Sequence, residues 1–218
     1  MQLEKAFTEC TLVFLEKNFD LRQVEEIKTL NEWEYDAKNI EVAERELAVL
    51  PIFQQLLKTN VSNWNEQDLS LHFIGPIFSL VNFTVPYRFN LFAERKIEAN
   101  ITSSKSEVYR LHGRPDEMIA SGFREPESPY FCFQEYKRET DPNGDPIAQT
   151  LAAMLVAQNI HQNQNPIFGS YVLGRDWYFL VLEGANYAIS RGYDATTEQI
   201  FDIYRILQTL KKNIFTNF

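Results

Sequence analysis

The chain has 218 residues, of which 44% are hydrophobic and 14% aromatic, a composition that excludes wholesale disorder and predicts a sizeable buried core. Its net charge is −9, and its two cysteines, Cys10 and Cys132, are too few for a disulfide framework or a cysteine metal cluster. Because no apolar run reaches the length of a membrane span and the first 20 residues lack a signal-peptide pattern, we expect a cytoplasmic protein without a membrane partner.

The first 60 residues predict a helical extension. Apolar residues between Ile40 and Leu57 recur with a period near 3.6, and Pro51 predicts a break or a new helix start within that run. Capping residues at 62–66 then precede a helix that ends near Asn82, with a kink or restart at Pro76. We therefore divide the chain into an extension over residues 1–60 and a second domain over residues 61–218.

Strand and helix signals alternate through the rest of the chain. A strong apolar helix is predicted over 147–160, after a dense loop from Pro142 to Pro146, and an amphipathic helix closes the chain after Thr196. The predicted strands span residues 88–101, 109–121, 130–139, 167–173, 177–182 and 187–190. This order predicts an α/β fold in which a mixed β-sheet is flanked by helices.

The third predicted strand carries the chemistry that decides the functional hypothesis. Because side chains alternate across a strand, Phe131, Phe133, Glu135 and Lys137 share one face, which leads from the core into a polar cleft. Asp116 on a neighbouring strand would bring a second carboxylate close to Glu135. Two close carboxylates favour a cation between them, and oxygen ligands suit Mg²⁺. Lys137 would then stabilise charge on a scissile phosphate or orient the attacking water.

Blander interpretations exist for the same residues. An acid followed some distance later by Glu-x-Lys is common by chance, and the pair would then be solvated neighbours at an exposed strand end. The adjacent aromatics Trp177, Tyr178 and Phe179 would be able to stack bases, but in an alternating strand such residues more often form core. The three histidines are scattered and show no metal-ligand spacing.

Four segments together resemble the PD-(D/E)XK, or restriction-endonuclease-like, nuclease superfamily. They are the helix that begins near Glu66, Gly113-Arg114-Pro115-Asp116, the apolar strand that ends in Glu135-Tyr136-Lys137, and the next helix with Gln149 near its start. The resemblance covers about residues 62 to 213 and is nearest to the N-terminal nuclease domains of type I restriction motor subunits. The chain as a whole also resembles bacterial proteins of unassigned role.

The resemblance implies a set of site residues. It makes Asp116, Glu135, Lys137, Gln149 and Glu66 catalytic, with Asp68 as the alternative acid on the first helix. A Mg²⁺ or Mn²⁺ ion would be bound by Asp116, Glu135 and the backbone carbonyl of Tyr136. The implied activity is metal-dependent hydrolysis of phosphodiester bonds in nucleic acid, with DNA as the first substrate to test.

Two other functions remain open at this point. One is a non-catalytic member of the nuclease fold that serves as a binding or assembly module, and the other is an interaction protein that recruits a partner through its aromatic-rich helices. The acidic net charge opposes general DNA binding, which depends on cations that neutralise phosphates. Eight cations nevertheless cluster between Arg95 and Arg138. An assembly of two copies is also left open.

Overall fold

A computed structural model describes residues 2–137, 144–161 and 165–217, and for residues 2, 130–137 and 217 it describes the backbone alone. The helices are α1 (Leu12–Phe19), α2 (Lys28–Ala37), α3 (Glu44–Asn60), α4 (Glu66–Leu69), α5 (Gly75–Val81), α6 (Pro146–His161) and α7 (Gln199–Asn217). A short 3-10 helix spans Phe7–Glu9, and a π-helical segment, Ser70–Ile74, joins α4 to α5. The strands are β1 (Gln2–Ala6), β2 (Arg22–Gln23), β3 (Phe89–Ala93), β4 (Ile97–Thr102), β5 (Val108–Gly113), β6 (Glu117–Ser121), β7 (Pro129–Lys137), β8 (Ile167–Leu173), β9 (Asp176–Glu183), β10 (Asn186–Ile189) and β11 (Tyr193–Asp194).

The strands form two sheets. The main sheet has the order β2-β10-β9-β8-β7-β6-β3, with β11 paired to β9, and the smaller sheet has the order β1-β5-β4. Strands β7 and β8 run parallel, whereas β3–β6, β6–β7 and β8–β9 are antiparallel. A parallel pair needs a crossover connection, and α6 lies within that connection. The predicted α/β class with a mixed sheet is confirmed.

Alternation along β8 divides the core into two clusters on opposite faces of the main sheet. Phe168 and Val172 belong to the cluster formed with α2, α5 and α7, whereas Ile167 and Tyr171 belong to the cluster formed with α6. On the first face the buried Trp33 of α2 packs edge-on against Phe168, at 4.8 Å between ring centroids. Even-numbered residues of β8 therefore face the layer of α2, α5 and α7, and odd-numbered residues face α6.

Helix α6 is enclosed between the two sheets. It contacts β7 and β8 of the main sheet and β4 and β5 of the smaller one, and nearly every side chain from Ala148 to Ala157 is buried. A helix that is apolar on all sides is expected to be buried in this way. Gly169 on β8 permits the close approach, because a Cβ atom there would lie 2.6 Å from the sulfur of Met154.

The first 60 residues contain strands as well as helices, which corrects the prediction of a purely helical extension. β1 pairs in parallel with β5, and β2 pairs in parallel with β10, so this segment contributes to both sheets. The predicted break at Pro51 is also wrong, since α3 is continuous from Glu44 to Asn60. Pro51 is exposed, while Leu50 and Leu57 are buried, and their burial offsets the one helical hydrogen bond that proline removes.

Each of the first two predicted strands is in fact two strands that belong to different sheets. The segment 88–101 turns at residues 94–96, between β3 and β4, and the segment 109–121 turns at residues 114–116, between β5 and β6. The helix over residues 66–81 ends at Asn82, whose φ of 56° is left-handed, so its predicted end is confirmed. Among the residues that the structure describes, no helix is both long and apolar enough to cross a bilayer.

Candidate functional site

Asp116 lies where the chain crosses from the smaller sheet to the main sheet. It directly precedes β6, it is half-buried, and the backbone N–H of Glu94 donates a hydrogen bond to its carbonyl oxygen at 3.0 Å. This bond continues the β3–β6 ladder by one residue, because Ala93 pairs with Glu117. This hydrogen bond fixes the backbone of Asp116 at the bend that leads into β6.

The register between β6 and β7 places Asp116 near the Glu-x-Lys segment. Glu117 pairs with Gln134, so continuing the antiparallel register by one residue brings Asp116 beside Glu135. Between this pair and the next, Ile119 with Phe131, β6 advances two residues and β7 three, which is a β-bulge. Bulges often lie next to active sites, where they redirect side chains.

The side chains of Glu135, Tyr136 and Lys137 lie outside the described part of the structure, so their convergence with Asp116 stays a prediction. Their backbone positions are nevertheless clear: Glu135 pairs with Tyr171 on β8, and Lys137 pairs with Leu173. Tyr171 is buried and stacks on Tyr178 at 4.6 Å between ring centroids, on the face of the sheet that α6 covers.

Gln149 is buried near the start of α6. It lies in the first turn of α6, which begins at Pro146, one residue before the predicted start, and only 6% of the residue is exposed. Its backbone N–H donates to the carbonyl oxygen of Asp145 at 2.9 Å. Its side-chain Nε2 lies so near Gly144 that a Cβ atom there would approach to 2.8 Å. Gln149 therefore does not point into bulk solvent, and its catalytic role stays a prediction.

Asp145 is a residue that the sequence analysis missed. Its Oδ1 accepts a hydrogen bond from the backbone N–H of Ala148 at 3.0 Å, and its Oδ2 accepts one from the N–H of Leu12 at 3.2 Å. One carboxylate thus caps α6 and also binds the start of α1. The sequence contains half of this signal, since Asp followed by Pro146 is typical of a helix N-cap and first position. The contact with Leu12 is long-range and leaves no local pattern.

The two acids of the first helix have different surroundings. Asp68 forms a capping box with Asn65: the N–H of Asp68 donates to Oδ1 of Asn65 at 2.8 Å, and the N–H of Asn65 donates to Oδ2 of Asp68 at 3.2 Å. Glu66 is the first residue of α4 and is half-buried, and α4 contacts β7. Leu69 of α4 belongs to the cluster with α2 and α7, so α4 and α6 lie on opposite faces of the main sheet. The predicted approach of Glu66 and Gln149 to one cleft would therefore occur at the end of β7.

Glu117 is a second residue that sequence reasoning missed. It is only 7% exposed, and its Oε2 has no hydrogen-bond partner among the described residues. Burial, together with the neighbouring charges of Asp116 and Glu94, raises the pKa of its carboxyl to about 8. The available signal was its position directly before the apolar run Met118-Ile119-Ala120, a pattern that favours burial.

Several of the clustered cations are already paired with carboxylates. Arg110 contacts Glu4 at 2.9 Å and Glu98 at 2.8 Å, and Lys96 contacts Glu98 at 2.5 Å. Within the described ranges, Lys105, Arg114 and Arg124 make no ion pair. Fewer of these cations are therefore available to bind a polyanion than the eight counted in the sequence.

Across the residues whose side chains the structure describes, which do not include Glu135, no three His, Cys, Asp or Glu side chains are grouped so that they would hold a metal ion. The predicted base-stacking alternative for the adjacent aromatics is not supported for Trp177 and Phe179, which are fully buried. Comparisons of the chain with models of known protein families and with curated proteins find no match.

Proposed function

We propose that the chain is a metal-dependent nuclease of the cytoplasm that hydrolyses phosphodiester bonds in nucleic acid, with DNA as the expected substrate. The observation that carries the proposal is a juxtaposition of elements. Asp116 directly precedes β6, the β6–β7 register continued by one residue puts the Glu135 position beside it, and α6 then crosses to β8 with Gln149 buried in its first turn. Apart from β4 and β5, which belong to the smaller sheet, the order of helix α5, antiparallel strands β3, β6 and β7, helix α6 and parallel strand β8 agrees with the restriction-endonuclease-like fold that the sequence resemblance implies.

The residues present fit a hard divalent cation. The expected ligands are the carboxylates of Asp116 and Glu135 and the backbone carbonyl of Tyr136, and oxygen-only ligation suits Mg²⁺ or Mn²⁺. The buried Oε2 of Glu117, which has no described hydrogen-bond partner, adds a further unbalanced acceptor at this end of β6. When bound, the ion would polarise a phosphate oxygen and make a coordinated water more acidic.

The protein groups would supply orientation and charge. Lys137 would hold its ammonium near the scissile phosphate, where it stabilises negative charge that develops in the transition state. The amide of Gln149, fixed by burial in the first turn of α6, would position the attacking water through a hydrogen bond. Glu66 would reach the same strand end from the opposite face of the sheet.

One observation favours the second candidate function, a non-catalytic nuclease-fold binding or assembly module. The net charge is −9, and several cations of the basic cluster are engaged by Glu4 and Glu98. Such a protein would retain the fold and the buried Gln149 without hydrolysing a phosphodiester bond.

The test is cleavage of plasmid DNA, linear duplex, single-stranded DNA and RNA with Mg²⁺ or Mn²⁺, and with EDTA as the metal-free arm. Asp116→Asn and Lys137→Ala are expected to lose cleavage, while Lys105→Ala, which changes an exposed lysine without an ion pair to any described residue, retains it. Equal cleavage by wild type and Lys137→Ala would assign the activity to a contaminant. Binding without cleavage of any substrate would favour the non-catalytic module.

A further inference from the structure

Two exposed aromatic side chains stack on each other at the far end of β3 and β6 from Asp116. Tyr87, in the turn before β3, is 81% exposed, and Phe123, in the loop after β6, is 60% exposed. Their ring centroids are 5.3 Å apart and their planes differ by 24°. Stacking covers one face of each ring, so the outer faces and edges stay open to solvent.

The backbone of Tyr87 has a strained conformation. Its φ is +63°, in the left-handed region that aromatic residues rarely adopt. Pro86 precedes it, and the N–H of Arg88 donates to the carbonyl oxygen of Val85 at 3.0 Å, which is the pattern of a type II turn. Glycine or asparagine is usual at the position that Tyr87 occupies. Strain kept at an exposed aromatic residue indicates that the ring has a function.

The partner loop is held in place by hydrogen bonds from a strand. The side-chain amide of Asn90 on β3 donates to the carbonyl oxygens of Gly122 at 3.0 Å and Phe123 at 3.4 Å. Gly122 has a φ of +106°, and a Cβ atom there would lie 2.2 Å from the carbonyl oxygen of Glu125. The loop therefore presents Phe123 in a defined position.

Each of the two aromatic residues is followed directly by an exposed arginine. Within the described residues neither Arg88 nor Arg124 makes an ion pair, although the guanidinium of Arg88 lies over the ring of Phe89 at 5.2 Å. The nearby Glu125 is engaged by Arg95 at 3.9 Å. Arg88 and Arg124 thus place two positive charges beside the rings for an anionic partner that also has flat apolar surfaces, and the exposed Glu127 is the carboxylate of the same loop that remains beside them.

We propose that Tyr87, Phe123, Arg88 and Arg124 form an aromatic platform that binds single-stranded nucleic acid. Unpaired bases would stack on the two rings while the arginines contact the flanking phosphates. Bases inside a duplex present no free faces, so the platform selects single-stranded or locally unpaired substrate.

The platform deepens the proposed nuclease function and, for its relation to cleavage, rests on it. Phe89 pairs with Ser121 at the platform end of the β3–β6 ladder, and Ala93 pairs with Glu117 at the Asp116 end. The five residues of β6, with four intervals of about 3.3 Å, separate the two ends by roughly 13 Å. A bound strand would therefore reach the Asp116 end within a few nucleotides.

The experiment is fluorescence anisotropy of labelled dT12 and of a duplex of the same length, in EDTA so that no cleavage occurs. Tyr87→Ala and Phe123→Ala are each expected to bind dT12 between about fivefold and 150-fold more weakly, the range that corresponds to the loss of one stacked base, and the double variant more weakly than either single variant. Tyr35→Ala is the matched control, because Tyr35 is 66% exposed on α2 and should leave binding unchanged. Phe123→Trp should retain binding, whereas Phe123→Leu, which keeps an apolar side chain but no aromatic ring, should lose it.

The arginines give a second readout. Arg88→Ala and Arg124→Ala should each reduce the slope of log K against log salt by roughly 0.7, the value for one phosphate contact on a single strand. The proposal is overturned if wild type binds neither dT12 nor rU12, or if the double variant binds as tightly as wild type. Because binding is measured without metal, a protein that binds but never cleaves would contradict the nuclease proposal alone. A protein that cleaves duplex but shows no effect of the ring substitutions would contradict the platform alone.

Discussion

Glu117 lies directly opposite Gln134 in the ladder between β6 and β7, and this pairing sets the position of Asp116 relative to Glu135. The β-bulge between this pair and the next changes the register farther along the same ladder. If Glu117 paired one residue away from Gln134, Asp116 would no longer lie beside Glu135. The candidate metal site therefore depends on the backbone pairing of these two strands, and the helix that follows them supplies Gln149 on one face.

Gln149→Leu is expected to reduce cleavage roughly 100-fold, the usual cost of removing one positioned hydrogen-bond donor, with little loss of stability. A buried amide that is replaced by an apolar group of similar size leaves no unpaired polar atom, so the free energy of unfolding should change by no more than about 1 kcal/mol. Gln158→Leu, farther along the same helix and only partly buried, is the control. A loss of cleavage in both variants would indicate a general effect on α6.

Gly144→Ala should displace the side chain of Gln149 without changing Gln149 itself. Gly144 has a φ of +85°, and the added Cβ atom would lie 2.8 Å from Nε2 of Gln149. We expect this variant to lose cleavage to a similar degree as Gln149→Leu, and also to lose about 1–2 kcal/mol of stability because alanine disfavours this conformation. Urea unfolding together with the cleavage assay separates the two effects, and unchanged cleavage would show that Gln149 tolerates displacement.

Asp145→Ala is expected to lower the free energy of unfolding by about 1–4 kcal/mol, because one carboxylate contacts the N-termini of two helices and each cap is worth about 0.5–2 kcal/mol. Asp145→Asn should lose roughly half as much, since the amide oxygen can still accept from Ala148 while the contact with Leu12 is lost. Asp68→Ala, which removes a capping contact at a single helix, is the comparison. Equal effects of all three substitutions would contradict the double role of Asp145.

The buried carboxyl of Glu117 predicts a pH dependence of stability. Its folded pKa of about 8 exceeds the ordinary value of 4.5, so between these pH values the folded protein keeps a proton that the unfolded chain releases. The stabilisation is present in full below pH 4.5 and is lost as the pH rises through about 8, at up to about 1.4 kcal/mol per pH unit. Glu117→Gln should remove this slope in EDTA.

Urea unfolding of wild type and Glu117→Gln between about pH 5 and pH 8.5 measures the difference directly, and other titrating groups cancel in the comparison. Glu125→Gln serves as the control because its side chain is 75% exposed. Parallel curves for wild type and Glu117→Gln would mean that Glu117 is ionised in the folded protein at neutral pH.

The parts of the fold that were predictable from the sequence are those with local signals. Helix α6 begins within one residue of its predicted start because an apolar run follows an Asp-Pro pair. The split of residues 88–101 into two strands was missed because Glu94 takes a φ of 50° at the turn, where no glycine or asparagine marks it. β1 was missed because its partner Val108–Gly113 lies far along the chain.

The residues of the candidate site also divide into those with a local sequence signal and those without one. Asp116 and Gln149 were predicted as site residues from motif position, and the structure places the first directly before β6 and the second in a buried first turn. Glu117 was missed because its burial depends on the packing of three strands, and Asp145 because half of its role is a contact with Leu12. Tertiary contacts of this kind leave no periodic pattern in the sequence.

The last prediction measures the strain and the stacking of the aromatic platform in one double-mutant cycle. In a Phe123→Ala background, Tyr87→Asn should raise the free energy of unfolding by about 1 kcal/mol, because asparagine tolerates a φ of +63° that costs tyrosine about 1–2 kcal/mol. In wild type the same substitution also removes the stacked pair, worth about 0.5–1.5 kcal/mol, so its net effect should be smaller by that amount. Urea unfolding gives both values. The same effect of Tyr87→Asn in both backgrounds would show that the two rings do not stabilise each other. The expected difference between the backgrounds would show that they do. If dT12 binding is also weakened in every variant that lacks a ring, the turn at Tyr87 costs the fold stability and supports binding.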